Sequence, residues 1–136
     1  MKFNIRKLTE NDWNTLISWW KAWPKWNAPA KDFLPDNGTS GLMVEKNNIP
    51  IVEGFLYFTN SSAVLLEWII SNPEYKEKDR KKAIETLVQS AEIFCKNNNK
   101  KYMFSIGRNK SLIGIHKKLN WLVDKDPSYE IIKKIT

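Results

Sequence analysis

The stretch that decides the fold is AVLLEWIISNPEYKEKDRKKAIETLVQSAEIFCKN, residues 63–97. Its first part is apolar from Ala63 to Ile70, with Glu67 as the one ionisable side chain, which predicts a strand covered on both faces. Its last part predicts an amphipathic helix, because apolar side chains recur at spacings of three and four: Ile84, Leu87, Val88, Ala91, Phe94 and Cys95. Free N–H groups at the start of such a helix can hold an anion, so the turn between strand and helix predicts a phosphate site.

Length and composition limit the class of protein. A chain of 136 residues predicts a single domain over residues 1–136, and a single cysteine excludes an internal disulfide. No window approaches the ~20 apolar residues of a membrane span. The N-terminus lacks the apolar segment of a signal peptide, so a cytoplasmic location is expected. The net charge of +7 favours anionic partners, but the lysines are spread along the chain as on an ordinary solvated surface.

Taken in order, the chain predicts the elements β-α-(α)-β-β-β-α-β-α-β-β. A strand at residues 3–6 precedes a helix that begins near Thr9, with Asp12 three residues later as in a capping box. Pro24 ends this helix. Further strands are predicted at 42–45, 51–58 and 101–106, and a short helix at 111–119. A closing strand pair is predicted at 121–124 and 129–135.

Two segments resemble motifs of the GNAT acetyltransferase superfamily. NPEYKEKDRKKAIETL resembles its acyl-CoA loop, V-x-P-x-x-[QR]-x-x-G-x-[GA], with Ser71, Pro73 and Lys76 at the first three defined positions. Asp79 and Lys81 replace the two glycines. NKSLIGIHKKLNW, residues 109–121, resembles the segment N-x-x-a-x-x-x-Y-x-x-x-G-F, with Asn109 matched and His116 in place of tyrosine.

The predicted order of elements is also the GNAT order, so the resemblance covers essentially the whole chain. It implies an α/β (α+β) protein with a GNAT-like fold, a mixed and twisted sheet flanked by helices. The opening DW-x5-WW-x2-W, followed by DFLPDNGT and GFLYFTNS, resembles small GNAT-like proteins carried by bacteriophages. A phage origin would place the protein in the host cytoplasm.

The resemblance implies transfer of an acetyl group from acetyl-CoA to an amine of a small molecule or protein. Glu67 would act as general base and His116 would protonate the leaving thiolate. The backbone at Ile69, Ile70 and Ser71 would meet the acyl carbonyl and pantetheine. The remaining cofactor contacts would come from the loop, the helix start and the second motif: Lys76, Lys78, Asp79, Arg80, Lys81 and Asn109.

Both catalytic assignments have a structural alternative. Glu67 could instead be satisfied by a core cation or a tryptophan N–H, and His116 could be a solvated histidine on a helix edge beside two lysines. Asp79 could cap the helix and place its carboxylate where the phosphate would lie. No metal site is expected.

The tryptophans divide into core and cleft candidates. Five of the seven lie within residues 13–26. Helical spacing assigns Trp13, Trp20 and Trp23 to the core. Trp19 and Trp26 fall off that face and, with Phe33, are predicted to line an acceptor cleft. An aromatic floor suits a cationic amine.

Two other function classes fit the sequence. The replaced glycines favour a GNAT-fold protein that no longer binds CoA and acts through protein contacts, for instance against a host factor. Lysines within residues 76–82 and 96–101 allow nucleic-acid binding. In that case the affinity for DNA or RNA would fall steeply as the salt concentration rises. We expect a monomer or homodimer with no membrane contact.

Overall fold

The computed structural model describes residues 2–23 and 27–136. The chain forms two compact units, Met1–Ile106 and Gly107–Thr136. The prediction of one domain over the whole chain stays a prediction. Trp26 lies outside the described residues. No helix in the described ranges is both long and apolar enough to cross a membrane.

The first unit is built on a five-stranded sheet in the order β1-β2-β3-β4-β5. Its strands are β1 Asn4–Lys7, β2 Gly41–Lys46, β3 Ile49–Phe58, β4 Ala63–Ser71 and β5 Tyr102–Phe104. Strands β1 to β4 pair antiparallel, whereas β5 pairs parallel with β4. The sheet is therefore mixed, and the predicted α+β class is confirmed.

Two helices accompany this sheet. Helix α1 spans Trp13–Ala22 and follows a single 3-10 turn at Glu10–Asp12, where Thr9 and Asp12 form the predicted capping box. Helix α2 spans Arg80–Asn97, the range that its apolar periodicity predicts. Two 3-10 turns, Lys31–Phe33 and Pro35–Gly38, connect the α1 region to strand β2.

The two faces of the sheet bury different side chains. The face toward α2, here called the α2 face, is mainly aliphatic: it brings Leu66 and Ile69 of β4 beside Leu87, around the missing side chain of Gly54, and it also holds the ring pair of Phe58 and Phe94. The face toward α1, the α1 face, is aromatic. Its buried cluster comprises Leu8, Leu16, Trp19, Trp20, Leu34, Met43, Phe55 and Ile70, with Trp13, Ile17, Trp23, Tyr57 and Trp68 packed against it.

Trp19 corrects the sequence interpretation of the first helix. Its side chain is only 4% exposed and belongs to the buried cluster, although helical spacing assigned it to the opposite side. Several tryptophans pack together on the α1 face, which makes its apolar surface wide. A wide apolar surface buries helix positions, such as Trp19, that lie outside a narrow apolar stripe.

The second unit contains helix α3, Lys110–Lys118. The closing strand pair predicted at 121–124 and 129–135 is wrong, since residues 119–136 form no strand. Their large apolar side chains are exposed instead: Leu122, Tyr129, Ile131, Ile132 and Ile135. An isolated two-stranded hairpin is marginal in water at best, so an alternating sequence pattern does not suffice for pairing.

Candidate active site

Strands β4 and β5 separate part-way along their length. Their parallel pairing runs from Ala63 and Tyr102 to Leu65 and Phe104, whereas β4 continues to Ser71. Just beyond β5, a 2.7 Å hydrogen bond runs from the Ser105 hydroxyl to the carbonyl oxygen of Leu66. Beyond this fork one edge of β4 has no neighbouring strand among the described residues.

Glu67 lies at the fork. Its half-buried carboxylate accepts a 2.7 Å hydrogen bond from the backbone N–H of Ile106, just beyond β5. Glu67 opposes Phe55 in the pairing of β3 with β4 and therefore projects from the α1 face. A backbone N–H favours the ionised carboxylate, the form that a general base requires.

A bulge follows Glu67 in strand β4. Glu53 of β3 pairs with Ile70 and Phe55 pairs with Glu67, so that Trp68 and Ile69 together oppose the single residue Gly54. Trp68 has a φ of 56°, in the left-handed region that bulky side chains rarely adopt. Strict alternation along β4 would place Ile69 on the same face as Glu67, but the bulge places Ile69 on the α2 face instead.

The carboxyl end of β4 is held by contacts from α1 and α2. The Ser71 carbonyl accepts a 3.0 Å hydrogen bond from the indole N–H of Trp23, and its hydroxyl accepts one of 2.7 Å from Arg80. The Arg80 guanidinium also lies 5.3 Å from the centre of the Trp23 ring. Arg80, predicted to contact the cofactor, is therefore directed back over the strand end in this structure.

Asp79 occupies the N-cap position of helix α2 but does not cap it. Its side chain makes no hydrogen bond to the first-turn N–H groups. Its carboxylate instead binds Lys46 at 2.6 Å and the Tyr75 hydroxyl at 2.7 Å. The hydrogen bonds from Lys46 and Tyr75 lower the pKa of Asp79, so the carboxylate is ionised at neutral pH.

Lys46 was missed by the sequence analysis, because it belongs to β2 and lies 33 residues before Asp79. With Tyr75, Lys78 and Asp79 it lines a cavity of 460 Å³ at the start of α2. In the described part of the chain, the N–H groups of Lys81 and Lys82 have no acceptor. The Lys46–Asp79 ion pair and these open N–H groups thus both lie at the start of α2, where Asp79 and Lys81 stand in place of the two glycines.

The other loop lysines have the exposure that ligand contact requires. Lys76, Lys78 and Lys81 are all exposed. The loop that carries the first two is held by the Asn72 side chain, which donates to the Pro50 carbonyl oxygen of β3 and accepts from the N–H of Glu74. The structure thus groups Lys76, Lys78, Asp79 and Lys81 at one end of the first unit.

Of the predicted acceptor-cleft residues, Trp19 and Phe33 lie within the described part of the chain, and their exposure differs. Trp19 is buried, whereas Phe33 is 46% exposed and presents its ring edge to Trp68 at 5.9 Å. Phe33 therefore lies beside the bulge, as an acceptor-lining residue would. A side chain as buried as Trp19 offers almost no surface to an acceptor.

Two predicted site residues belong to the second unit. Asn109 caps helix α3, since its side-chain oxygen accepts hydrogen bonds from the N–H groups of Ser111 and Leu112. His116 is buried, not solvated: its Nδ1 lies 2.9 Å from the Leu112 carbonyl oxygen, and its ring meets Trp121 edge-on at 4.6 Å. A carbonyl accepts only, so Nδ1 carries a proton.

Glu53 is a second residue that the sequence analysis missed. It is fully buried, and neither carboxylate oxygen has a hydrogen-bond partner among the described residues. Burial raises its pKa well above the usual value; the backbone N–H of Ile70, which lies near the carboxyl without reaching hydrogen-bond geometry, opposes this rise, and the charge of Asp12 adds to it. A signal was present in the sequence, because Glu53 interrupts the apolar run IPIVEGFLYF of β3.

Comparisons with known proteins are consistent with this geometry. No protein-family model and no curated protein matches the chain. Among solved structures, the E. coli ribosomal-protein-S18-alanine N-acetyltransferase matches with a TM-score of 0.70 and 11% identity, over 88% of this chain and 77% of that one. An aminoglycoside acetyltransferase from an uncultured soil metagenomic sample matches with a TM-score of 0.66 and 10% identity, over 97% and 96%.

A third structure was solved with a ligand that joins both substrates. AAC(6')-Iy, in complex with a bisubstrate analogue of CoA and monomethyl-acetylneamine, matches with a TM-score of 0.63 and 17% identity, over 98% of this chain and 99% of that one. At such identities the likeness establishes the fold. The sheet order, the fork between β4 and β5 and these matches together show that this chain has the fold of the GNAT acetyltransferases.

Proposed function

We propose that the chain is an N-acetyltransferase that uses acetyl-CoA as donor and an amine of a small molecule or protein as acceptor. The observation that carries the proposal is the fork between β4 and β5 with the Glu67 carboxylate in it. Such a fork exposes strand backbone to an extended ligand, and a carboxylate there can take a proton from an attacking amine.

The reaction needs a proton acceptor for the amine, N–H donors for the oxyanion and a proton for the leaving thiolate. The amine nitrogen attacks the thioester carbonyl carbon, Glu67 accepts the ammonium proton, and N–H groups of β4 beyond the fork stabilise the oxyanion. The carbon–sulfur bond then breaks, and the thiolate takes up a proton. The hydrogen bond from Ile106 orients Glu67 and keeps its carboxylate available for the first proton transfer.

The protonation of the thiolate by His116 carries a condition. Because Nδ1 bonds to the Leu112 carbonyl, the neutral ring has its lone pair on Nε2. His116 can donate a proton from Nε2 only as imidazolium. A loss of kcat in His116→Gln with the Kd for acetyl-CoA unchanged would support this role, and an unchanged kcat would contradict it.

The phosphates of the donor fit the start of helix α2. Lys46 and the exposed Lys78 and Lys81 supply positive charge there, and the first-turn N–H groups supply donors. In this proposal the lysine side chains bind the phosphates that the glycine-containing loop of the family motif binds. Nucleic-acid binding through the second lysine cluster is less favoured, since Lys100 is engaged by the carbonyl oxygens of Thr59 and Ser61.

Calorimetric titration of acetyl-CoA into the full chain at physiological salt tests the proposal. We expect a Kd of about 1 μM, or roughly 8 kcal/mol of binding free energy. Lys46→Met should weaken binding by about tenfold, whereas Lys101→Met, at the opposite end of the sheet from Asp79, should not. CoA lacking the 3′-phosphate should also bind more weakly. Absence of binding at millimolar acetyl-CoA would overturn the enzyme assignment.

The catalytic role of Glu67 is tested by acetyl-CoA consumption with a panel of amines. Glu67→Gln keeps the hydrogen bond from Ile106 but cannot accept a proton. We expect kcat to fall by about 10²–10⁴-fold while the Kd for acetyl-CoA stays unchanged. Equal activity of the variant would remove Glu67 from the mechanism.

One observation favours a second function, a GNAT-fold protein that acts through protein contacts without CoA. The Lys46 cation is already neutralised by Asp79, which belongs to the loop itself. A wild-type chain and an Asp79→Asn variant that both fail to bind acetyl-CoA would support this second function. Binding by the variant alone would show that the chain's own carboxylate blocks a working site.

A further inference from the structure

Four aromatic residues surround the bulge of strand β4 on the α1 face. This bulge cluster consists of Trp20, Phe33, Tyr57 and Trp68. Trp68 meets the ring of Trp20 edge-on at 6.5 Å and that of Phe33 at 5.9 Å. The Trp68 side chain is thus fixed between helix α1 and the 3-10 turn Lys31–Phe33.

The hydroxyl of Tyr57 joins the cluster through two hydrogen bonds. It accepts one of 3.1 Å from the indole N–H of Trp68 and donates one of 3.0 Å to the carbonyl oxygen of Phe33. The phenol therefore uses both its donor and an acceptor. Burial raises the pKa of Tyr57, the hydrogen bond from Trp68 opposes the rise, and the hydroxyl stays protonated at neutral pH.

The backbone of Trp68 explains why such a network is needed. Its φ of 56° lies in the region that glycine adopts freely and that a bulky residue avoids. A strained conformation persists only where surrounding contacts determine it. Here those contacts act on the indole ring, so the shape of the bulge depends on where the ring is held.

We propose that Tyr57 is a positioning residue, whose hydroxyl fixes Trp68 and so holds the bulge in the shape that receives the thioester carbonyl. This inference rests on the proposed acetyltransferase function. The same hydroxyl ties the bulge to the Lys31–Phe33 turn, where the exposed Phe33 ring is available to an acceptor. Donor carbonyl and acceptor amine are thereby aligned by one hydrogen-bonded phenol.

The inference is tested by the infrared band of the thioester carbonyl, with acetyl-CoA carrying ¹³C at that carbon as the probe. In the wild-type complex the band should shift to lower frequency than in free acetyl-CoA, because N–H groups at the bulge polarise the carbonyl. Tyr57→Phe should lose more than half of this shift while the Kd for acetyl-CoA is unchanged. Trp68→Phe removes the same hydrogen bond from its other end and should have the same effect.

The controls separate positioning from folding and from the function itself. Tyr102→Phe removes a hydroxyl from an exposed tyrosine outside the cluster and should leave the band unmoved. Near-UV circular dichroism shows that each variant is folded. This inference alone would be overturned if Tyr57→Phe kept the full shift of the carbonyl band. It would also be overturned if the wild-type chain bound acetyl-CoA without shifting the band. Absence of wild-type binding would overturn the proposed function and this inference with it.

Discussion

The two faces of the first unit's sheet are packed with different kinds of side chain. The α2 face packs mainly apolar side chains, and those nearest to Gly54 are Leu66, Ile69 and Leu87. The α1 face packs tryptophans around groups that can ionise, including Glu53 and Tyr57, and it ends in the fork that holds Glu67. The same strands supply both faces through their alternation.

This difference separates stability from chemistry. Aliphatic packing gains free energy from every buried carbon, whereas a buried carboxyl without a partner costs free energy. The α1 face nevertheless keeps Glu53 buried, together with a strained Trp68. Departures from good packing concentrate at functional sites, and here they lie beside the proposed acyl site.

The largest effect is expected on the α2 face. Leu87→Ala should lower the free energy of unfolding by about 2–5 kcal/mol, because it leaves a cavity at a fully buried position. Urea unfolding measures the loss, and the Kd for acetyl-CoA of the folded fraction should not change. Ile93→Ala, on the same helix but 62% exposed, is the matched control and should cost less than about 0.5 kcal/mol. Equal losses in both variants would contradict the division between the faces.

The next largest effect is on the pH dependence of the free energy of unfolding, and it is expected at Glu53. Because burial raises the pKa of Glu53 above 4.5, its contribution to stability is complete below that pH and is lost as the pH rises through the folded-state pKa. The wild-type free energy of unfolding should therefore fall with rising pH, by at most about 1.4 kcal/mol per unit. Glu53→Gln should abolish this slope in urea unfolding between roughly pH 5 and 8.

Asp12 provides an internal contrast with Glu53. Burial alone would raise the pKa of Asp12, but hydrogen bonds from Arg6 and Thr9 outweigh it and lower the pKa below 3.8. Its contribution is therefore present above pH 3.8 and is lost as the pH falls through the folded-state pKa. Because this window lies below that of Glu53, a slope that persists in Glu53→Gln above pH 5 would contradict the Glu53 assignment.

A smaller effect is expected at the start of α2. Asp79→Asn removes the negative charge that pairs with Lys46 and should raise the affinity for acetyl-CoA by about tenfold, or 1.4 kcal/mol. Calorimetry measures this change. Glu85→Gln, six residues further along the chain in α2, removes the same charge and serves as the control. A weaker affinity in Asp79→Asn would mean that the carboxylate orders the loop for its ligand.

The smallest effect is expected at the rim of the α1 face. Glu10 and Lys31 form a 2.9 Å ion pair in which both side chains are exposed. Glu10→Gln removes the pair but keeps Lys31 over the ring of Trp13. Solvent screens such pairs, so the free energy of unfolding should fall by less than about 0.5 kcal/mol in thermal or urea unfolding. A larger loss would show that this rim contributes to the packing of the α1 face.

Several features of the fold were predictable from local sequence. The apolar run at Ala63–Ile70 and the apolar spacing from Ile84 to Cys95 predicted strand β4 and helix α2, and the structure confirms both elements, at Ala63–Ser71 and Arg80–Asn97. Thr9 and Asp12 predicted the start of the first helical segment. In each case the pattern and the structure it specifies lie within one element.

The features that were missed involve residues distant in sequence. Lys46 reaches Asp79 across 33 positions, and the bulge at Trp68 exists only relative to Gly54 on the neighbouring strand. The predicted strands after residue 120 failed for the same reason, since an alternating pattern does not provide the edge with which a strand must pair. Sequence patterns give periodicity, but they do not give register.

The sequence by itself determined the main elements of the first unit and the resemblance that assigned Glu67 and the loop their roles. Tertiary structure alone decided that Glu67 accepts a hydrogen bond from the Ile106 N–H, that Lys46 pairs with Asp79 and that Tyr57 bonds to Trp68 at the bulge. The physical reason is that helices and strands follow from hydrogen bonds and burial along the chain, whereas an active site follows from contacts that form only once the strands have been brought together.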